Sequence, residues 1–210
     1  MPPTLPPGGG PRIGMRTQTR PEYREPVTPQ TAQPQQTVSR VAHTAGLAPA
    51  ELAAARALMD LAFEGDFSDE DWDHGLGGMH ALVHDARGEL LGHGSVVQRR
   101  VLHNGRSLRV GYVEGVAVRP DRQRQGIGGQ VMTALEGIIE RAYDLGALSP
   151  SAEGEGLYRA HGWVTWTGSV GTLGPDGVQH LPDEDPPMLR GADLDPAHPF
   201  LIDWRDGDVY

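Results

Sequence analysis

Apolar positions begin to recur at regular spacing only near Val38. Val38 to Ala42 reads as a strand. Pro49 then opens a helix, where its missing N–H costs nothing. Leu52, Ala55, Leu58, Met59 and Ala62 give that helix an apolar stripe. Ser68 to Asp71 fits a capping box for a short second helix carrying Trp72. Two strands come next, Met79 to Asp85 and Leu90 to Leu102, joined by a turn containing Arg87-Gly88. Asn104-Gly105 is a hairpin signal leading into a third strand, Leu108 to Val118. After a polar loop, a helix is predicted from Ile127 to Leu145, with Val131, Leu135, Ile138 and Ala142 at helical spacing. Ala147 to Ser149 reads as a short strand, Ala152 to His161 as a short helix, and Trp163 to Trp166 as the start of another strand. The order is mixed α/β, without an internal repeat.

Residues 1–37 differ. They hold nine of the eighteen prolines, a Gly8-Gly9-Gly10 run and few large apolar residues. Such a segment buries too little surface to offset its ordering entropy. It is expected to be a disordered extension before a single domain, residues 38–210, large enough to hold its own core. No apolar run approaches the roughly 20 residues that cross a bilayer. The N-terminus also lacks a basic segment followed by an apolar core. The expectation is a cytoplasmic protein with no membrane partner.

Composition removes several chemistries. The chain has no cysteine and no lysine, so all eighteen basic residues are Arg. Disulfides, cysteine-ligated metals, a cysteine nucleophile, Schiff-base lysine chemistry and the P-loop lysine are excluded. The net charge of −10 argues against a nucleic-acid partner. The acid is concentrated. Residues 60–73 carry seven carboxylates and no Arg, and residues 176–210 carry nine against Arg190 and Arg205. Either stretch reads as a solvated acidic surface or as a region that concentrates a cationic ligand. His80, His84 and His93 suggest a metal only superficially. His80 and His84 share a strand face but lie about 13 Å apart at strand spacing, too far to share an ion. Ordinary strand histidines and no metal are expected.

The most informative stretch is Val113-Glu114-Gly115-Val116-Ala117-Val118, Arg119-Pro120-Asp121-Arg122, then Gln123-Arg124-Gln125-Gly126-Ile127-Gly128. It runs strand, turn, glycine-bearing loop, helix. A helix N-terminus offers unpaired N–H groups and a positive dipole end to phosphate. Gly126 and Gly128 let the backbone close around an anion. Arg119, Arg122 and Arg124 form a basic island. The spacing is not that of a Rossmann site, and a Walker loop is excluded by the missing Lys.

Gln-x-x-Gly-x-Gly entering a long helix after a Val-rich strand resembles the coenzyme A pyrophosphate loop of the GCN5-related N-acetyltransferase (GNAT) superfamily. Glu155-Gly156-Leu157-Tyr158-Arg159-Ala160-His161-Gly162-Trp163 is similar to a later helix of that superfamily. A narrower resemblance rests on Gly65-Asp66-Phe67, Asp71-Trp72, Leu76-Gly77-Gly78-Met79-His80-Ala81-Leu82, Gln98-Arg99-Arg100, Gly111-Tyr112-Val113-Glu114-Gly115-Val116-Ala117-Val118-Arg119 and Asp203-Trp204-Arg205-Asp206-Gly207-Asp208-Val209-Tyr210. These resemble the aminoglycoside 2'-N-acetyltransferases across nearly all of residues 38–210.

The resemblance implies a mixed, mostly antiparallel sheet with a splayed strand pair and flanking helices. It implies acetyl-CoA as cosubstrate, a polycationic aminoglycoside as acceptor, and a homodimer. Val116, Ala117, Val118, Gln123, Arg124, Gln125, Gly126, Ile127 and Gly128 would hold coenzyme A. The N–H groups of Val116 and Val118 would meet the pantetheine and polarise the thioester. Gly115 suits the bulge that splays the strand. Glu114 would be the general base, acting through water, and Tyr158 the acid that protonates the departing thiolate. Two plainer readings stand beside these: a structural ion pair for Glu114 and a core tyrosine for Tyr158. Matching positions for the acceptor are Asp66, Asp71, Glu114, Gly115, Ser149, Asp183, Glu184, Asp208 and Tyr210 with its terminal carboxylate. The chain departs from the family in ending on Tyr210 where Trp is common, and in Glu184 where Asp is common. Without cysteine, an acetyl-cysteine intermediate is impossible, which leaves direct attack of the amine. A cell-wall amino sugar or a polyamine as acceptor, or a binding protein without turnover, are the competing readings.

Overall fold

A computed structural model of the chain describes Met1, Thr4 and residues 36–210. The expected disordered extension therefore falls almost wholly outside the described residues. The fold is that of the unit formed by residues 35–210, described from residue 36 onward.

The elements run β1 (Thr37–His43), α1 (Pro49–Ala62), α2 (Asp69–Gly75), β2 (Met79–Asp85), β3 (Leu90–His103), β4 (Arg106–Val118), α3 (Ile127–Ala142), β5 (Leu145–Leu148), α4 (Glu155–Ala160), β6 (Val164–Thr165), β7 (Val170–Gly174), β8 (Gly177–His180), β9 (Met188–Arg190) and β10 (Phe200–Asp203). Local signals explain the first half. Ala48 precedes Pro at the first turn of α1, and Glu51 accepts from the Ala48 N–H at 2.8 Å. Ser68 and Asp71 exchange the two hydrogen bonds of a capping box, 3.0 and 2.9 Å. Asn104 and Gly105 take φ of 47° and 71°, the left-handed pair that a two-residue hairpin needs.

The strands join in one ten-stranded sheet of order β6-β9-β5-β4-β3-β10-β7-β8. β2 pairs with the first half of β3 and carries β1, so β2 and β10 share one side of β3, at opposite ends. Only β4–β5 and β7–β10 are parallel; the remaining pairs are antiparallel. This is the mixed, mostly antiparallel sheet expected from the sequence.

Two departures from the sequence reading lie at β5 and beyond. The helix expected to reach Leu145 ends at Ala142, and Leu145 instead begins β5. Asp144 takes the Arg109 backbone N–H on its carboxylate at 2.7 Å, while its own N–H donates to the Arg109 carbonyl at 2.8 Å. That exchange pins the chain to β4 and stops the helix. The short helix predicted over Ala152 to His161 narrows to α4, because Ser151 and Gly154 form a turn first. The strands β7 to β10 carry no periodic signal long enough to read.

β4 separates two cores by simple alternation. Val113 faces one side with Val96, Val131, Leu135, Tyr158 and Trp163, while Val110 and Tyr112 face the other with Trp166, Phe200, Ile202 and Tyr210. α3 lies close on β3 because two strand positions are glycine. A Cβ on Gly94 would meet Val131 at 2.8 Å and Leu135 at 3.1 Å. α3 is tied to the turn that follows α4 by Glu136, which accepts from the Trp163 indole N–H at 2.8 Å and contacts the His161 ring at 3.1 Å. Gly94→Val is therefore expected to cost about 1–3 kcal/mol by overpacking. Urea unfolding followed by circular dichroism measures that loss.

Candidate active site

β4 and β5 pair only at Val110–Leu145, Gly111–Gly146 and Tyr112–Ala147. Beyond Tyr112 the two strands part, and one edge of β4 has no strand beside it. On its other edge β4 stays paired with β3, but the register slips between His93 and Ser95, which face Ala117 and Glu114. Three steps on β4 match two on β3, so β4 carries a bulge at Gly115 and Val116. Gly115 sits at φ 53°, a conformation costly for a side-chain-bearing residue. The Gly115 carbonyl faces the His93 ring on β3. In a trans peptide the next N–H points the opposite way, so the Val116 N–H is aimed into the gap left by β5. The Arg119 N–H donates to the Leu91 carbonyl at 2.9 Å. Alternation from there turns the Ala117 N–H inward and the Val118 N–H outward. The two donors named from the sequence thus line the open edge.

The chain then enters α3 through Gln123, Arg124 and Gln125, with Arg124 at φ 58° and the capping Gly126 at φ 81°. The first N–H groups of α3 are left facing out beside Ile127 and Gly128. The basic island is unequal. Arg119 is engaged by Glu89 and by Asp121 at 2.9 Å, and Arg122 lies 3.5 Å from Asp121. Arg124 forms no ion pair among the described residues.

Glu114 lines the floor of a small pocket, with room for about one water, together with Met59, Phe67, Asp71, Trp72, His80, His93, Ser95 and Gly115. α2 packs closely against this floor because Gly75 is a glycine; a Cβ there would meet the Ser95 hydroxyl at 2.8 Å. Glu114 pairs with Arg205, and both side chains are only 13% exposed. The ion pair that the sequence left as the plainer reading is therefore present, in the same cleft as Asp71. Arg205 also donates from Nε to the Asp208 carbonyl at 2.7 Å and lies over the Tyr112 ring at 5.5 Å. Tyr112 is fully buried, and burial raises its pKa far above the usual phenol value. Its hydroxyl meets Ser149 Oγ at 2.9 Å at the end of β5.

The two acidic stretches touch. The His74 ring on α2 meets the Asp206 carbonyl at 2.7 Å, and Arg99 ties the terminal segment to β3 through Asp203 at 2.6 Å and the Val209 carbonyl at 3.1 Å. Burial and the nearby Asp208 and Asp185 raise the Glu184 pKa, the signature of carboxylates crowded without a cation. Asp71, Glu114 and Gly115 thus share the pocket, Ser149 meets the Tyr112 hydroxyl instead of lining it, and Glu184 joins Asp208. Asp66 and Asp183 are exposed, and neither lines the cleft. The Tyr210 ring points elsewhere: it is 6% exposed, packs in the second core with Phe200 and shares its hydroxyl between the Gly171 and Phe200 carbonyls, 2.8 Å each.

Tyr158 stands on α4, with its ring in the first core and no hydrogen bond from its hydroxyl to any described residue. Burial pushes its pKa up to about 12, so the phenol keeps its proton at physiological pH. Sequence reasoning missed Arg205 and the contact between His80 and His93. The pattern Asp203-Trp204-Arg205 is visible as a motif, but its partner lies 91 residues away.

Residues 45–165 match the family model described as an acetyltransferase (GNAT) domain. An aminoglycoside 2'-N-acetyltransferase from Mycolicibacterium fortuitum is 44% identical over 179 residues, spanning 82% of this chain and 91% of that one. The chain belongs to the aminoglycoside 2'-N-acetyltransferase family, within the GNAT acetyltransferases. Solved GNAT structures share the fold. The Escherichia coli GNAT family N-acetyltransferase YhbS, solved in complex with CoA, superposes with TM-score 0.57 at 18% identity, over 84% of this chain and 93% of that one. An acyl-CoA N-acyltransferase from Pseudomonas aeruginosa gives TM-score 0.52 at 19% identity, over 74% of this chain and 99% of that one. In this GNAT chain no helix among the described residues is long and apolar enough to cross a membrane.

Within the family frame, Tyr210 holds the terminal segment as an anchor. Tyr210→Phe leaves the Gly171 N–H, which donates to the Tyr210 hydroxyl at 3.1 Å, without that acceptor. A buried donor left unpaired costs about 1–3 kcal/mol. The expected outcome is a lower melting temperature, read by calorimetry.

Proposed function

We propose that this protein transfers the acetyl group of acetyl-CoA to the 2'-amine of an aminoglycoside antibiotic, by direct attack within a ternary complex, and so gives resistance to the drug. What supports the reading most is the position of Glu114: a carboxylate in a pocket shared with Asp71, one residue from the bulge and beside the edge of β4 that β5 leaves open. The M. fortuitum relative, whose name states that activity, aligns over most of both chains.

The work is divided among the chain's residues. Exposed N–H groups at the start of α3, with Gln123, Arg124 and Gln125, hold the pyrophosphate, aided by the helix dipole. Val116 and Val118 N–H groups take the pantetheine and the thioester carbonyl. Asp71, Glu184 and Asp208 bind substrate ammonium groups in charge-assisted hydrogen bonds. Asp66, Asp183 and the Tyr210 carboxylate extend this wall, and Ser149 offers a hydroxyl. Glu114 accepts a proton from the 2'-ammonium through water. The neutral amine attacks the thioester carbonyl and forms the C–N bond, leaving negative charge on the carbonyl oxygen. As that intermediate collapses the C–S bond breaks, Tyr158 gives its proton to the departing thiolate, and the second proton of the acylated nitrogen passes through water to restore the Tyr158 hydroxyl. Proximity supplies much of the acceleration. The segment before β1 is an extension outside the catalytic domain in this reading, Thr37 itself belonging to β1, and the working form is a cytoplasmic homodimer.

A thiol-release assay with acetyl-CoA tests the substrate. Aminoglycosides bearing a 2'-amine are expected to turn over, and those bearing a 2'-hydroxyl are not. Equal turnover of both overturns the regiochemistry; coenzyme A binding without turnover favours a binding protein. Glu114→Gln is expected to lose about 10²–10⁴-fold in rate. The loss should be greatest at low pH, where the amine carries a proton, and should shrink as pH rises. A wild-type pH profile in that variant removes Glu114 from the base role.

A further inference from the structure

Two buried histidines stand beside the bulge, in the wall of the pocket that holds Glu114, and take no part in the proton transfers assigned to Glu114 and Tyr158. His80 and His93 are 1% and 2% exposed. His80 Nδ1 lies 2.9 Å from His93 Nε2, and His93 Nδ1 lies 3.3 Å from the Gly115 carbonyl. At the other end, His80 Nε2 lies 2.8 Å from the Thr44 hydroxyl, which accepts the Gly77 N–H at 2.9 Å.

The chemistry of these partners fixes every proton. A carbonyl only accepts, so His93 carries its hydrogen on Nδ1 and accepts at Nε2. His80 must then donate from Nδ1 and accept at Nε2. Thr44 has one hydroxyl proton, and His80 is its nearer acceptor; the Gly78 carbonyl lies at 3.2 Å. The result is a one-way chain of neutral groups, Thr44 to His80 to His93 to Gly115. Burial holds both rings neutral, with pKa values lowered to about 4 and about 3. Two polar rings in a sheet interior cost desolvation that apolar side chains of similar size would avoid. Here every ring nitrogen is used, and the chain ends on the one peptide of β4 that the bulge turns.

That peptide has two ends. Its carbonyl is Gly115, and its N–H is Val116, aimed into the gap between β4 and β5. Hydrogen bonds in a chain polarise one another. We propose that His80 and His93 are positioning residues for acetyl transfer: they fix and polarise the Gly115–Val116 peptide, so that the Val116 N–H grips the thioester carbonyl more strongly as negative charge develops on it. The inference rests on the acetyl-CoA reading of the site. It assigns the pair no proton transfer and no bond to the reacting atoms.

The test uses the full chain, wild type and the variants His93→Leu, His93→Asn and Thr44→Val, with acetyl-CoA labelled with carbon-13 at the thioester carbonyl and no acceptor present. Isotope-edited infrared spectroscopy reads the thioester stretch of bound acetyl-CoA. In the wild type it is expected below its frequency in water. His93→Leu should move it back toward that value. The same variant should lower kcat about tenfold, less than the 10²–10³-fold lost when such a donor is removed outright. The aminoglycoside KM should stay within about twofold, since only the reacting state is affected. His93→Asn keeps an N–H near the Nδ1 position and should recover most of both signals. Thr44→Val, at the half-buried end, should move the band a smaller distance in the same direction. An unmoved band and unchanged kcat in folded His93→Leu overturn the inference; if that variant does not fold, an unmoved band in Thr44→Val does so. A wild type that binds no acetyl-CoA instead overturns the acetyl-transfer reading itself.

Discussion

A sheet edge without a neighbouring strand is a row of unmet hydrogen bonds, and the geometry of this fold keeps one open. β5 accompanies β4 for three residues and then leaves it. Backbone donors exposed there are met by water until a ligand takes its place. The rest of the domain holds that edge in place. α3 is pressed against β3 over two glycines, which sets where its N-terminus lies. α4 is tied through Glu136, which fixes the segment that carries Tyr158. The bulge at Gly115 then rotates one peptide so that its two polar ends serve opposite sides of the strand.

The charge distribution gains a meaning from this arrangement. An acidic chain that binds a polyanion and a polycation must keep the two apart. The Arg-bearing loop before α3 faces one end of β4. The carboxylates of α2 and of the terminal segment meet around the other. Between them, Arg205 pairs with Glu114, so the carboxylate proposed as base has a cation beside it. In the free protein that cation is the chain's own, stacked on Tyr112 and braced by the Asp208 carbonyl.

Much of this is legible in the sequence because it is local. The capping box at Ser68, the Asn104-Gly105 hairpin, the bulge residue Gly115 and the loop from Gln123 to Gly128 each declare themselves within a few residues. The end of α3 is not, because Leu145 continues an apolar period that Asp144 interrupts only through its bond to Arg109, far along the chain. β7 to β10 are silent for another reason; strands of three to five residues, rich in Gly and Pro at their borders, carry too little period. Within the site, Glu114 and Tyr158 stand out by residue type and context. Arg205 and the histidine pair do not, since each depends on a strand register or on a contact far along the chain. Tyr210 shows the converse: its place in a motif suggests the site, and its ring goes to the core.

The terminal segment has one more consequence, for the order of folding. Arg99 meets Asp203 and Val209 across 104 and 110 residues, whereas β3 and β4 join through a two-residue turn. Contacts so distant in sequence pay their closure entropy late, and they slow the chains that rely on them. By that measure the β3–β4 hairpin is expected to form before the terminal segment docks. A partly folded chain would then hold the open edge of β4 before Arg205 and the terminal carboxylates reach it.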